Sequence, residues 1–338
     1  MKKIIIRADS NEKIAGGHIM RTKSIAAALK EQGADVIFVT ADEKSKPLLK
    51  DFKNVVLGTK YDEMDAELGK FSQIIAEIKP DFILIDSYFV TPNYLNFLKN
   101  SAKTAYIDDL NAFCYDVDLL INYSAFLRFE FYKNKQNLAK KLLLGASFAP
   151  LRAEFSKSTK SEISSIKKVL LTTGNTDNLS FCPKLLEKII LDEFFKNIEF
   201  FVICGHFNIH KEKLKNLSQK HKNIKVLENV ENMSQIMREC DIAISAGGST
   251  LYELAALSLP TICFKIAENQ NSAAFWGKEA MIYAGDAAAD ISAVIANAKT
   301  ALKELIKNPS KANELAAKAH EITDGKGAKR IAAEILAL

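Results

Sequence analysis

The feature that most constrains this chain is its rhythm: short apolar runs alternate with amphipathic stretches from end to end. In the first half the runs are Lys3–Ala8, Val36–Thr40, Asn54–Leu57, Asp81–Asp86, Thr104–Asp108 and Val117–Asn122. Helical spacing separates most of them, as in Ile19–Glu31, where Ile25, Ala28 and Leu29 share a face, and in Glu63–Ile78. Strand and helix in strict alternation make βαβ units and a parallel sheet. The rhythm breaks at Ser147–Ile166, where Pro150 precedes a polar run without periodicity, and then restarts. The second series is Lys168–Thr172, a helix from Ser180, Glu199–Cys204, a helix from Ile209, Ile224–Leu227, Asp241–Ser245, a helix from Ser249 and Thr261–Ile266. The residues from Lys311 to Leu338 are Ala-, Glu- and Lys-rich and read as helix, broken at Asp324-Gly325-Lys326-Gly327. The expectation is two α/β domains, 1–150 and 167–310, a linker over 151–166, C-terminal helices over 311–338, and a cleft between the halves.

Composition removes other classes. Hydrophobic residues at 48% and charged residues at 26% suit a globular chain, and 338 residues suit two domains of ordinary size. A net charge of +5, with Lys spread evenly, does not suit a nucleic-acid binder. No apolar run approaches a membrane span, and Lys2, Lys3 and Arg7 interrupt the N-terminus too early for a signal peptide. The 5 Cys are scattered, with no CxxC, as in reduced cores. The expectation is a cytoplasmic protein with no membrane insertion and no nucleic-acid partner.

Four motifs carry chemistry. Ala15-Gly16-Gly17-His18 follows the first strand, where glycines let backbone N–H groups approach a ligand and the helix start disfavours an imidazolium, keeping His18 free to act as a base. Its bland reading is a tight turn with His18 as a helix cap. Ser245-Ala246-Gly247-Gly248-Ser249-Thr250 leads from a strand into a helix and forms a cradle for a pyrophosphate, with Glu253 one turn on as a partner for ribose hydroxyls. The bland alternative is a capping box between Ser249 or Thr250 and Glu253. Thr173-Gly174-Asn175-Thr176-Asp177, the first turn of the second half, could form the other lip of that pocket or a plain polar loop. Glu268-Asn269-Gln270-Asn271 places three amides at a strand end, suited to sugar groups or to an Asx turn. His206 and His210 have metal-pair spacing without a third ligand; Asp108-Asp109 reads as a strand-end pair; the aromatics in Ala125–Tyr132 read as core or lining.

Together these elements resemble the nucleotide-sugar hydrolases of the pseudaminic acid pathway, which act on UDP-2,4-diacetamido-2,4,6-trideoxy-altropyranose. The resemblance rests on Arg7-Ala8-Asp9-Ser10, Ala15-Gly16-Gly17-His18 with Arg21, Asp86-Ser87-Tyr88, Asp108-Asp109, the stretch Gly145–Phe155 with Arg152, Ser245–Glu253, Asn269-Gln270 and Asp324–Ala328. Ala15, Asn175 and Phe148 stand where the family has Gly, Gly and Tyr. The Gly-Gly-Ser/Thr…Glu loop is also similar to that of the peptidoglycan glycosyltransferase that makes lipid II. The resemblance implies a GT-B fold, two Rossmann-like doubly wound domains, and inverting hydrolysis of the C1–O bond of a UDP-sugar without metal or cofactor. His18 would be the base, with Tyr88 and Asn269 orienting sugar or water. Asp9, Gly16, Gly17, Arg21, Asp86, Arg152, Gly174, Thr176, Gly247, Gly248, Ser249, Thr250, Glu253 and Gln270 would bind substrate. The alternative is a GT-B glycosyltransferase passing the sugar to a carbohydrate or lipid acceptor.

Overall fold

A computed structural model describes residues 1–125, 132, 138–157 and 162–338, apart from the Asn269 side chain. The chain divides into two compact units, Met1–Ala153 with Lys326–Leu338, and Glu154–Gly325.

The first unit holds a parallel sheet with seven strands among the described residues, in the order β3-β2-β1-β4-β5-β6-β7. These strands are β1 (Lys3–Ala8), β2 (Asp35–Thr40), β3 (Lys53–Val56), β4 (Phe82–Asp86), β5 (Lys103–Ile107), β6 (Leu119–Asn122) and β7 (Lys141–Leu144). Strands such as β4, Phe-Ile-Leu-Ile-Asp, are apolar at every position but the last because helices cover both faces of the sheet. Ile4, Ile6 and Leu84 point to one face, against Ile25 and Leu29 of the helix Gly17–Glu31. Ile5, Ile83 and Ile85 point to the other, against Phe71 and Ile75 of Met64–Ile78 and Leu95 and Leu98 of Pro92–Lys99. That last helix starts where Thr91 Oγ1 accepts from Tyr94 N at 3.0 Å and Pro92 takes the first turn.

The last helix, Gly327–Ala337, belongs to this first unit. Its Ala328, Ile331, Ala332 and Ile335 are buried in the same core as Ile25 and Leu29. Gly327 permits the approach, since a Cβ there would lie 2.2 Å from Ala149 O.

The second unit holds a parallel sheet with six strands among the described residues, in the order β10-β9-β8-β11-β12-β13. They are β8 (Lys168–Thr172), β9 (Glu199–Cys204), β10 (Ile224–Glu228), β11 (Ile242–Ala246), β12 (Thr261–Lys265) and β13 (Ile282–Asp286). In each sheet the strand order reverses once beside the first strand, between β1 and β4 and between β8 and β11. The carboxyl ends of such strands flank the crevice where open α/β sheets take ligands. Both glycine-histidine and glycine-serine motifs sit at these two points.

Candidate functional site

In the first unit, His18 and Arg21 lie three residues apart on the helix that follows β1, and Asp86 ends the adjacent strand β4. Parallel pairing of Ala8 with Asp86 sets the helix start beside that carboxylate. His18 Nδ1 lies 2.6 Å from Asp86 Oδ1. Arg21 grips the same carboxylate side-on, Nε to Oδ2 at 2.6 Å and Nη2 to Oδ1 at 2.5 Å. Arg21 also donates from Nη1 to Tyr123 Oη at 2.8 Å and meets Asp109 Oδ2 at 2.8 Å. The Tyr88 ring stands edge-on to the imidazole, with centroids 4.4 Å apart. His18 and Asp86 are buried while Tyr88 is 43% exposed, so the pair is approached on its tyrosine side.

The electrostatics follow from these contacts. Burial works to raise the Asp86 carboxyl, but Arg21 and then His18 outweigh it and hold it below the usual carboxylate range. Burial and the Asp109 charge push the Tyr88 phenol up, so it stays protonated at neutral pH. An ionised Asp86 only accepts hydrogen bonds, so His18 Nδ1 carries the proton and Nε2 presents a lone pair. The arrangement can therefore take a proton from water or a hydroxyl. Helix capping does not account for it: the cap position is Gly16, without a side-chain cap bond.

In the second unit the turns after β8 and β11 enclose a cavity of about 420 Å³. Gly174, Thr176, Gly248, Ser249, Thr250 and Gln270 line it. At the start of the helix Thr250–Ala256 the N–H groups of Leu251 and Tyr252 donate back to Gly248 O and Ser249 O, and the positive end of the helix favours an anion. Ser249, at the cap position, makes no side-chain cap bond, and it lines the cavity. A second cavity of about 270 Å³ shares Gly174 and Thr250 with the first and adds Glu253, His206, Val230 and Met233. Its lining is of mixed character, with one carboxylate, Glu253, at the wall.

Residues 158–335 match the glycosyltransferase family 28 C-terminal domain. The chain belongs to this family. It is 25% identical over 276 residues to the uncharacterized protein MJ1062 of Methanocaldococcus jannaschii, covering 77% of this chain and 55% of that one. It is 22% identical over 280 residues to the spore coat polysaccharide biosynthesis protein SpsG of Bacillus subtilis, covering 80% and 79%. It is 28% identical over 196 residues to the Helicobacter pylori pseudaminic acid cytidylyltransferase and UDP-2,4-diacetamido-2,4,6-trideoxy-beta-L-altropyranose hydrolase. That match covers 56% of this chain and 35% of the other, so the chain spans about half, or less, of two of these relatives. The solved structure of MurG from Acinetobacter baumannii superposes with a TM-score of 0.72 at 13% identity over the full length of both chains. The fold is GT-B.

Within this family 28 chain, the residues singled out from sequence divide into three groups. His18, Arg21, Asp86 and Tyr88 come together, with Gly16 and Gly17 opening their helix. Gly174, Thr176, Gly248, Ser249, Thr250, Gln270 and Glu253 line the two cavities. The others have different surroundings. Asp9 anchors a loop: Oδ1 accepts from Ala41 N at 2.7 Å and Oδ2 from Arg7 Nη1 at 2.5 Å, and it lines neither cavity. Asp86 and Arg21 likewise contact each other and His18. A Cβ on Gly247 would lie 2.6 Å from Ala273 Cβ, so that glycine makes room for the helix Ser272–Glu279. Arg152 is half-buried and lines neither cavity. The Asn269 side chain, and most of the aromatic segment 126–131, fall outside the described residues; Tyr132 is buried and donates to Asp108.

The remaining candidates make structural contacts, and His206 and Asp177 also line the cavities of the second unit. Asp108 Oδ1 accepts from Leu110 N, Asn111 N and Tyr115 Oη, and shapes the turn after β5. His210 Nε2 is 2.7 Å from Ser180 Oγ, and His206 stands edge-on to Phe207. Asp177 accepts from Phe181 N and Cys182 N and caps the helix Phe181–Ile190. Sequence reading missed Tyr123 as a partner of Arg21, and nothing in the sequence marks it. It also missed Val230 and Met233, whose signal was their place just after β10. Among the described residues no helix is long and apolar enough to cross a membrane.

Proposed function

We propose that this protein hydrolyses a UDP-activated 2,4-diacetamido-2,4,6-trideoxyhexose at the C1–O bond, with inversion, releasing UDP and the free sugar. The observation that carries the reading is the His18–Asp86 pair beside an exposed tyrosine at the strand reversal of the first unit. A histidine held in this tautomer is a general base. The nucleotide half of the proposal rests on the two adjoining cavities of the second unit. Gly248–Thr250 and Gly174–Thr176 would hold the diphosphate, and Glu253 would accept from the ribose hydroxyls. As the diphosphate leaves, oriented backbone N–H groups stabilise the charge it gains. Water deprotonated by His18 Nε2 attacks C1, the C1–O bond breaks toward the diphosphate, and the proton passes to the imidazole. The relative from Helicobacter pylori, whose name includes this hydrolysis, supports the choice of sugar.

The family name favours one other reading, transfer of the sugar to an acceptor. A panel of UDP-sugars, with chelator present and no acceptor, separates the two. Prompt release of UDP from a diacetamido-trideoxyhexose donor supports hydrolysis. Release that waits for an added carbohydrate or lipid acceptor supports transfer. Activity lost in chelator and restored by magnesium or manganese would remove the metal-independent mechanism.

A further inference from the structure

We propose that Arg21 is a positioning residue for His18: acting through Asp86, it fixes which ring nitrogen bears the proton and offsets the carboxylate charge that would draw a second proton onto the ring. The inference gains its functional meaning from the reading of His18 as a base, but its physical content stands on the contacts of the cluster alone.

The tautomer follows from the carboxylate. An ionised Asp86 has no hydrogen to give, so its 2.6 Å contact with His18 Nδ1 needs the ring proton on that nitrogen. Arg21 Nη2 lies farther from Nδ1, at 3.2 Å, and gives its shorter contacts to Asp86 Oδ1 at 2.5 Å and, as an ion pair, to Asp109 Oδ2 at 2.8 Å. The imidazole must therefore donate from Nδ1 to Asp86, and Nε2 keeps the lone pair. Without the guanidinium, Asp86 would turn on its own axis and this constraint would be lost.

The charge follows from the same contacts. The titratable groups around the ring are Asp86 and Tyr88 after β4, Arg21 on its own helix, Asp109 after β5 and Tyr123 after β6. Both tyrosines are pushed up by burial and stay neutral. The balance is then one guanidinium against two carboxylates. Asp86 alone would stabilise an imidazolium and take the base out of its working form. The side-on pairing with Arg21 spends that negative charge within the cluster. Removing Arg21 leaves Asp86 against the ring and Asp109 nearby, with no counter-charge for either. An unscreened opposite charge at this distance moves a titration by about 1–3 pH units.

The test is a nitrogen-15 and proton NMR titration of the His18 ring in the full chain, assigned by its disappearance in His18→Gln. In the unaltered protein the neutral ring should show the proton on Nδ1. In Arg21→Gln we expect the titration midpoint to rise by at least about 1 pH unit and the ring to lose its single tautomer. Arg21→Lys, which restores the charge without the fork, should bring the midpoint back while leaving the tautomers mixed. An Arg21→Gln protein that titrates with the unaltered one overturns the proposal. Should Arg21→Gln fail to fold, Asp109→Asn decides: deleting that carboxylate should lower the midpoint, and no movement counts against the charge balance. None of these readouts requires turnover, so a shifted ring in a protein that cleaves no UDP-sugar would refute the hydrolase and leave this inference standing.

Discussion

Under the proposed function His18 and Glu253 differ in what their loss should do, because one lies in the cluster proposed to move a proton and the other in a wall proposed to bind UDP. His18→Ala removes the base and should lower turnover by roughly 10²–10⁴, with UDP affinity nearly unchanged. Glu253→Ala should weaken UDP binding by roughly 1–3 kcal/mol through a lost charged hydrogen bond. Calorimetry with UDP on both variants checks the pair; equal loss in the two, or none in Glu253→Ala, would undo the nucleotide assignment. Ala15 adds a local cost. It occupies φ 55°, in the left-handed region, where the resembling family has glycine. The turn it closes delivers Gly16, Gly17 and His18, so its strain sits at the approach to the proposed base. Sequence reading identified His18 and Tyr88 as a pair but gave Asp86, Arg21 and Asp9 to the substrate. A carboxylate that meets a ligand and one that holds a neighbouring guanidinium look alike in a sequence. Only the adjacency of β1 and β4 shows that Asp86 meets Arg21, and only the loop after β2 shows that Asp9 meets Ala41.

The loop between β11 and the helix Thr250–Ala256 carries two glycines with different duties. Gly247→Ala would drive a methyl into Ala273, and the helix Ser272–Glu279 would have to move. Overpacking of this kind costs about 1–3 kcal/mol, so thermal unfolding should come earlier and UDP binding should weaken with it. A Cβ on Gly248 meets nothing within 4 Å in the protein, yet Gly248 lines the cavity. Gly248→Ala should therefore melt with the unaltered protein and still bind UDP less tightly. Identical behaviour of the two variants in melting and calorimetry would contradict this division. Legibility also varied among the elements. β1, β8 and β9 are bounded as read, because strands deep in a parallel sheet are apolar throughout. β7 and β13 escaped notice. They are the outer strands of their sheets, each with one neighbour and mostly half-buried side chains, and Gly285 further weakens the apolar run of β13. The helix Pro92–Lys99 was legible in principle from Thr91-Pro92 and was passed over.

The two units are not consecutive pieces of chain, since Lys326–Leu338 returns to the first. Alternation of strand and helix revealed two α/β halves, but not this return, because an amphipathic alanine-rich helix fits either core equally well by composition. The return makes a prediction. Deleting residues 326–338 uncovers Ile25 and Leu29 and removes Ile331 and Ile335, at roughly 1.5–3 kcal/mol for each buried isoleucine. Hydrogen exchange should then quicken across β1 and the helix Gly17–Glu31 while β8 and β11 keep their protection. Uniform loss across both sheets would show that the helix supports more than its own unit. The proposed function divides the labour between the units, with a base in the first and a nucleotide cradle in the second. Asp177, which lines that cradle, accepts from Phe181 N and Cys182 N at the start of the next helix, and the proposed function gives Glu253 to ribose. Attack is therefore expected at the sugar carbon and not at phosphorus. The most direct measurement is a turnover in oxygen-18 water, with mass analysis of both products. The account predicts one solvent oxygen on C1 of the released sugar and none in UDP; label recovered in UDP would contradict it.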